Sequence, residues 1–353
     1  MTDKRKKRIR ELAEKLDVSR RSAANLLDTG RPREVREPPP QVKKRKQHYV
    51  WKHYLKAWAT KGRVWCHRAG KCFPASIEDV ANRRDFYRLR EMSAYDISIV
   101  QGLISRMAEH LQDLARGWIP HFSIFHEVKR EYEATGQTNR ELEEYLDVAI
   151  NNLEEDLHAG VESKAVPILN ALRRGDSSFL QNDERSLDFA RFVGMQYMRT
   201  PGIMRRATEV PTSGIRDFNI EASWGLIRTI LATNLGGSLY ARRRASRLTF
   251  LDAPPELELI TGDQPIVNAR GGGRAIETPP TELEFYYPLT PTRALLMSFD
   301  PTSATAERRA LTMDETATYN RMIVSASDEQ VYARSEAALV AASPGVAPQV
   351  ACR

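Results

Sequence analysis

Five polar side chains stand among apolar neighbours in this chain of 353 residues: His48, Glu162, Gln196, Arg199 and Asp263. Two carboxylates can hold a divalent cation such as magnesium or manganese, so Glu162 and Asp263 are the predicted metal ligands. His48 would be a third ligand or a general base, and Gln196 would orient a phosphate or a water. Arg199 would clamp a phosphate through two hydrogen bonds. Because such a cation can generate hydroxide, this set predicts a metal-dependent hydrolase of nucleic acid, a nuclease or another phosphodiesterase.

The same side chains also have purely structural interpretations. Glu162 and Arg199 would form a buried ion pair that fixes helix packing, and Asp263 would cap the turn in which it lies. His48 would be a satisfied core histidine, and Gln196 would bond to a neighbouring helix. The catalytic interpretation requires His48, Glu162, Gln196 and Asp263 to converge in one cleft, which the structural interpretation does not.

The segment IRELAEKLDVSRRSAANLL, residues 9–27, has the apolar pattern of a DNA-reading helix-turn-helix. Ser19 stands where the second helix needs an N-cap. Arg21 and Asn25 are four residues apart and share one helix face, and Arg20 lies beside them. Arg recognises guanine and Asn recognises adenine in the major groove, so these three residues are the predicted DNA readers.

Positive charge is concentrated at the start of the chain. Residues 1–46 hold 16 Lys and Arg against 7 Asp and Glu, a net charge of +9, whereas the whole chain carries +7, which leaves −2 for residues 47–353. This distribution predicts that the arm contacts nucleic acid, in a phage-defence effector or a toxin if the body is an enzyme. A DNA-tethered regulator without catalysis, and an arm that docks on another subunit of a homo-oligomer, are the alternatives.

Several function classes lack their sequence motifs. The chain has no phosphate-binding P-loop, no G-x-G-x-x-G after a strand and no G-x-S-x-G elbow, which argues against an ATPase, a Rossmann dehydrogenase and an α/β-hydrolase. Three cysteines are too few for a disulfide scaffold. No apolar run is long enough for a membrane span, and no signal peptide is visible, so a cytoplasmic protein without membrane contact is expected.

The predicted elements give an α+β fold: a mainly helical body with an N-terminal β-hairpin and a small C-terminal antiparallel sheet. The hairpin turns at residues 69–71. Pro167 should end or kink its helix. The periodicity predicts helices over 92–116, 120–134, 138–158, 161–173, 184–199, 217–234 and 312–325. The predicted organisation is a helical pair over 1–30, a proline-rich linker over 31–46, and a body over 47–353, helical over 89–235 and β-rich over 247–335.

An ordered set of patches resembles the bacterial domain of unknown function family 4238. The set runs through QHYVWKHYLKAWA, GRVWCHR, NRRDFYRL, DLHAGVESKAVPILNAL, FVGMQYMRTPGIMRR, ELITGDQPIV and YYPLTP. The resemblance covers residues 47 to about 300, nearly all of the body. It implies a shared fold and brings no established activity.

Overall fold

The computed structural model describes residues 42–136, 138–209, 217–271, 283–299 and 306–342. The predicted helix-turn-helix and its readers Arg20, Arg21 and Asn25 lie outside these ranges. Their roles therefore stay predictions.

The described residues form a run of helices between two β-rich stretches of the chain. The helices are α1 (Lys52–Leu55), α2 (Ala94–Ser105), α3 (Glu109–Glu133), α4 (Arg140–Arg173), α5 (Asp183–Met198), α6 (Pro201–Glu209), α7 (Ile220–Ala241), α8 (Met313–Ala326) and α9 (Glu336–Ala342). The strands are β1 (Lys46–His48), β2 (Arg63–Arg68), β3 (Lys71–Ser76), β4 (Asn82–Arg84), β5 (Ser246–Asp252), β6 (Thr261–Gly262), β7 (Val267–Asn268), β8 (Phe285–Thr290), β9 (Arg293–Phe299), β10 (Ala306–Ala310) and β11 (Gln330–Ala333). The predicted α+β class is confirmed.

The described residues divide into two compact units built from alternating stretches of chain. Unit 1 consists of 42–47, Arg84–His158 and 217–231, and unit 2 consists of the remaining described residues. Helices α4 and α7 each contribute their first part to unit 1 and their second part to unit 2.

Unit 1 is a helical unit with an aromatic and aliphatic core. Trp118 and Phe122 of α3 are buried in one cluster with Val100 of α2 and Leu226 of α7. Helix α2 begins with a capping box, in which the Ser93 hydroxyl accepts from the Asp96 amide at 3.1 Å and the Asp96 carboxylate accepts from the Ser93 amide at 2.9 Å.

Unit 2 contains two sheets. One has the strand order β3-β2-β11-β6, so the predicted N-terminal hairpin is joined by a strand near the end of the described chain. The hairpin turns at Ala69 and Gly70, whose φ angles of +50° and +77° fit a tight primed turn. The other sheet has the order β10-β5-β9-β8-β7 and is mixed, because β10 runs parallel to β5. The C-terminal sheet is therefore not purely antiparallel as expected.

Helix α4 joins two helices that the sequence pattern separates. It continues through Pro167, which was expected to end or kink it. The Pro167 side of the helix is exposed. Water can therefore hydrogen-bond the carbonyl that loses its helical donor, which lowers the cost of the proline. Within the described ranges, no helix has both the length and the apolar composition that a membrane span requires.

A close helix crossing in unit 2 fixes the position of α5. A Cβ added at Gly194 of α5 would lie 2.4 Å from the carbonyl oxygen of Ala232 and 2.9 Å from the amide nitrogen of Gly236, both in α7. Only glycine lets the two backbones approach so closely. The crossing therefore sets the position of Gln196 and Arg199, which follow on the same helix end.

Candidate functional site

A buried ion pair joins two of the predicted site residues. Glu162 Oε1 on α4 lies 2.6 Å from Arg199 Nη2, and Arg199 is the C-cap residue of α5. The Arg199 side chain is 1% exposed, whereas the Glu162 side chain is 14% exposed. Burial raises the pKa of the Glu162 carboxyl, and the Arg199 charge opposes that shift. Glu162 is thus the member of the pair that still reaches solvent.

Gln196 holds the arginine from the other side. Its Oε1 accepts a hydrogen bond from Arg199 Nη2 at 2.6 Å, and its Nε2 donates to the Tyr49 carbonyl oxygen at 3.0 Å. The i, i+3 spacing of Gln196 and Arg199 at the end of α5 brings the two side chains together. The structure therefore joins Glu162, Arg199 and Gln196 in one network.

Asp263 caps a turn that is distant in sequence. Its Oδ1 accepts from the Asp328 amide at 2.7 Å, and its Oδ2 accepts from the amides of Glu329 and Gln330 at 2.7 and 2.9 Å. Asp328 and Glu329 lie between α8 and β11, and Gln330 begins β11. Burial raises the pKa of Asp263 to about 6, although the three amides act in the opposite direction. Three backbone amides donate to this carboxylate, so Asp263 stabilises the turn as a cap.

Tyr49 connects the two groups of residues. Its carbonyl oxygen accepts from Gln196, and its hydroxyl accepts from Gln330 Nε2 at 3.0 Å. The backbone amide of Gln330 donates to Asp263 Oδ2. His48 directly precedes Tyr49 at the end of β1 and is half-buried. Asp263 is thus linked to the Glu162 network through Tyr49 and Gln330.

A second histidine, His53 of α1, was not predicted from the sequence and lies among polar groups. Its Nε2 lies 3.2 Å from Asn170 Oδ1, and Arg173 Nη2 donates to the His53 carbonyl oxygen at 3.1 Å. Burial lowers the pKa of His53, and the charges of Arg173 and Lys56 act in the same direction. The ring is half-exposed. Among the described residues, none hydrogen-bonds to Nδ1.

The signal for His53 was present in the sequence but is weak. Asn170 and Arg173 are three residues apart on one helix, so both can reach a single side chain. No local pattern shows which histidine of the segment QHYVWKHYL they approach. That information depends on the packing of α1 against α4 in unit 2.

The comparison with protein families shows to which family the chain belongs. A family model described as "Protein of unknown function (DUF4238)" matches residues 46–224 and 230–337. The chain belongs to the DUF4238 family. This confirms the resemblance found in the sequence, and the predicted arm over 1–46 lies almost wholly outside the match. The comparisons with curated proteins and with solved structures find no match.

The DUF4238 match contains every residue of the polar network, but no known activity comes with it. Within the described ranges, no group of three or more His, Cys, Asp or Glu side chains is placed to hold a metal ion. Glu162 Oε1 contacts Arg199, and both oxygens of Asp263 accept from amides. The shared cation of Glu162 and Asp263 stays a prediction, and these contacts give it no support.

A second buried ion pair of this DUF4238 chain lies in unit 1. Glu154 Oε1 on α4 is 2.6 Å from Arg228 Nη2 on α7, and their side chains are 1% and 4% exposed. His158 Nε2 lies 3.7 Å from the same Glu154 oxygen. The Arg228 guanidinium lies 4.9 Å from the centre of the Tyr87 ring and 5.6 Å from that of Phe86. Aromatic rings thus enclose this pair.

Proposed function

We propose that this DUF4238 chain is a hydrolase that cleaves phosphodiester bonds in nucleic acid, with His53 as the general base and Glu162 as the general acid. One observation carries the proposal. Two partly exposed titratable groups of unit 2 have pKa values shifted in opposite directions, Glu162 upward and His53 downward, and Lys52, which adjoins His53 in α1, acts electrostatically on Glu162. Such opposed shifts are typical of acid and base partners that work near neutral pH.

His53 has the properties of a base. Its pKa lies below the ordinary value of 6.5, so the ring is neutral at pH 7. With the proton on Nε2, the ring donates to Asn170 Oδ1 at 3.2 Å, and Nδ1 keeps its lone pair. Nδ1 would take a proton from a water whose oxygen then bonds to phosphorus. Asn170 is a positioning residue in this scheme because its acceptor, closer to Nε2 than the Arg173 Nη1 donor at 3.5 Å, favours the tautomer with the proton on Nε2.

Glu162 has the properties of the acid. Burial favours its neutral form, and its side chain is partly exposed. The carboxyl would donate its proton to the leaving oxygen as the phosphorus–oxygen bond breaks. Solvent then returns the proton from His53 to Glu162. Arg199 is buried and would act as a positioning residue that fixes the carboxyl.

Charge supports nucleic acid as the substrate. The arm over 1–46 carries a net +9, which would attract a phosphate backbone. Lys52, which acts electrostatically on Glu162, and Arg173 beside His53 add positive charge near the proposed groups. A divalent cation bound to the phosphate would add to its neutralisation, so the cation is a variable in the experiment.

The test uses the full-length chain and end-labelled DNA and RNA, single- and double-stranded, with magnesium, manganese or a chelator. We expect cleavage by the wild type and a loss of about 100-fold or more in His53→Ala, since a general base contributes on that scale. His110→Ala is the matched control, because His110 is exposed and lies in unit 1. The His53 variant should also lose the acidic limb of the pH–rate profile.

Two results would overturn the proposal. The first is a His53→Ala variant that cleaves at the wild-type rate. The second is a wild-type chain that binds nucleic acid in every condition and cleaves none of the substrates, which would favour the DNA-tethered regulator instead.

A further inference from the structure

Five arginines lie at the ends of three helices in unit 2. Arg174 follows α4, Arg185 lies in the first turn of α5, and a run of three follows α7: Arg242, Arg243 and Arg244. We call these five residues the arginine surface.

Hydrogen bonding and charge connect four of the five arginines to Asp176 or Asp183, near the start of α5, and Arg242 adjoins Arg243 in sequence. Arg243 Nε donates to Asp183 Oδ1 at 2.8 Å, which joins the end of α7 to the start of α5. That hydrogen bond lowers the pKa of Asp183, and the Arg244 charge adds to the effect. The pKa of Asp176 is lowered first by the Ser178 amide and further by Arg174 and Arg185.

Most of the positive charge on this surface is unpaired. Arg174, Arg185, Arg242 and Arg244 are exposed, and no described residue forms an ion pair with any of them. Asp176, Asp183 and Glu184 are the acidic residues between Arg174 and Arg185, so within this set of five arginines and three acids the positive charges exceed the negative ones by two. Exposed, unpaired arginines are available for an outside anion.

Two contacts hold the Arg243 guanidinium in place within the arginine surface. Its guanidinium lies 4.1 Å from the centre of the Tyr240 ring, in addition to its bond with Asp183. A planar guanidinium fixed against an aromatic ring offers a flat face on which a base can stack. Anionic lipid headgroups need only positive charge, whereas bases also stack on flat groups. The stacked Arg243 guanidinium therefore favours nucleic acid over a lipid surface.

We propose that the arginine surface binds the phosphate backbone of a nucleic acid, as a second contact besides the N-terminal arm. Guanidinium groups bind phosphate through two parallel hydrogen bonds, which ammonium groups cannot do. The proposal rests on the proposed function in taking nucleic acid as the partner. It concerns binding alone and does not require that the bound strand be cleaved.

The test measures binding of the full-length chain to fluorescent single- and double-stranded oligonucleotides over a range of salt concentrations, with chelator present to prevent metal-dependent cleavage. In the test variant, four unpaired residues become glutamine: Arg174, Arg185, Arg242 and Arg244. A charge-matched control replaces four exposed cations elsewhere with glutamine: Lys61, Lys71, Arg106 and Arg321. We expect the Kd of the test variant to rise by at least about tenfold, and the slope of log K against log salt to fall by about 3, because each phosphate contact contributes a little less than one. The control should bind as the wild type does.

The proposal is overturned if test and control variants bind alike, or if the wild type binds no nucleic acid. It is also overturned if the test variant keeps its nucleic-acid affinity and loses only binding to vesicles that contain anionic lipid. Cleavage is measured separately on the same preparations. Loss of binding in the test variant without cleavage by any preparation would support the surface and contradict the hydrolase. Normal cleavage with unchanged binding in the test variant would support the hydrolase and contradict the arginine surface.

Discussion

Two buried ion pairs on the same helix differ in their surroundings. Glu154 and Glu162 are eight residues apart on α4, and each lies 2.6 Å from an arginine nitrogen. In unit 1 the partner is Arg228, enclosed by aromatic rings, and no described residue accepts a hydrogen bond from its Nε or Nη1. In unit 2 the partner is Arg199, which also donates to Gln196.

The difference distinguishes a structural pair from the pair that we propose to be functional. Glu154 is 1% exposed, so no substrate can reach it, and its charge neutralises the buried charge of Arg228. Glu162 is 14% exposed and belongs to the unit that also contains His53. A buried carboxylate beside an arginine is therefore not by itself a sign of catalysis. The access of solvent and the neighbouring acceptors decide its role.

The largest effect is expected from breaking the pair in unit 1. Glu154→Ala leaves the buried charge of Arg228 without a counter-ion, and the free energy of unfolding should fall by about 3–5 kcal/mol. Urea denaturation measures this. The double variant Glu154→Leu with Arg228→Met removes both charges and should recover most of the loss. A single variant as stable as the wild type would contradict the structural role of the pair.

A third buried carboxylate, Asp263, extends the comparison because amides rather than an arginine hold it. Its pKa in the fold, about 6, lies above the ordinary 3.8, so the folded state binds its proton more tightly than the unfolded chain does. The stabilisation is complete below pH 3.8 and is lost as pH rises through 6. The loss amounts to roughly 3 kcal/mol. Unfolding curves across this range measure it.

Asp263→Asn should remove that pH dependence, since the amide does not titrate. The difference between the two proteins isolates Asp263 from the other carboxylates. A wild type that gains stability between pH 4 and 6 relative to Asp263→Asn would show that the three amide donors outweigh burial.

A smaller effect is expected at the helix crossing that positions Arg199. Gly194→Ala forces a methyl group against the Ala232 carbonyl, and should cost about 1–3 kcal/mol of unfolding free energy. Gly237→Ala is the matched control, because a Cβ there meets no atom within 4 Å and alanine favours a helix. Thermal melting compares the two. Equal melting temperatures would show that the crossing is not close.

The sequence predicted what depends on local spacing. The i, i+3 relation of Gln196 and Arg199 predicts one helix face, and the pattern around residues 69–71 predicts the hairpin turn. It did not predict that β11 would pair with β2, that β10 would run parallel to β5, or that α4 would pass through Pro167. The pairing of strands that are distant in sequence produces no periodic pattern of residues, so the sequence does not predict it.

The candidate site was predicted only in part for the same reason. The alternative of a buried Glu162–Arg199 pair matches the observed contact, whereas the Asp263 cap closes a turn more than 60 residues away, at Asp328–Gln330. His53 could not be preferred over His48, since only tertiary packing brings Asn170 to one of them. Long-range contacts therefore decide which polar residues form the site.

The central claim is that Glu162 is functional and Glu154 structural, and paired glutamine variants test it most directly. In Glu162→Gln, Arg199 keeps its hydrogen bond to Gln196, so the unfolding free energy should fall by only about 1–2 kcal/mol, while nucleic-acid cleavage falls about 100-fold. Glu154→Gln should lose about 3–5 kcal/mol and cleave normally per folded molecule. Wild-type cleavage by Glu162→Gln would contradict the account.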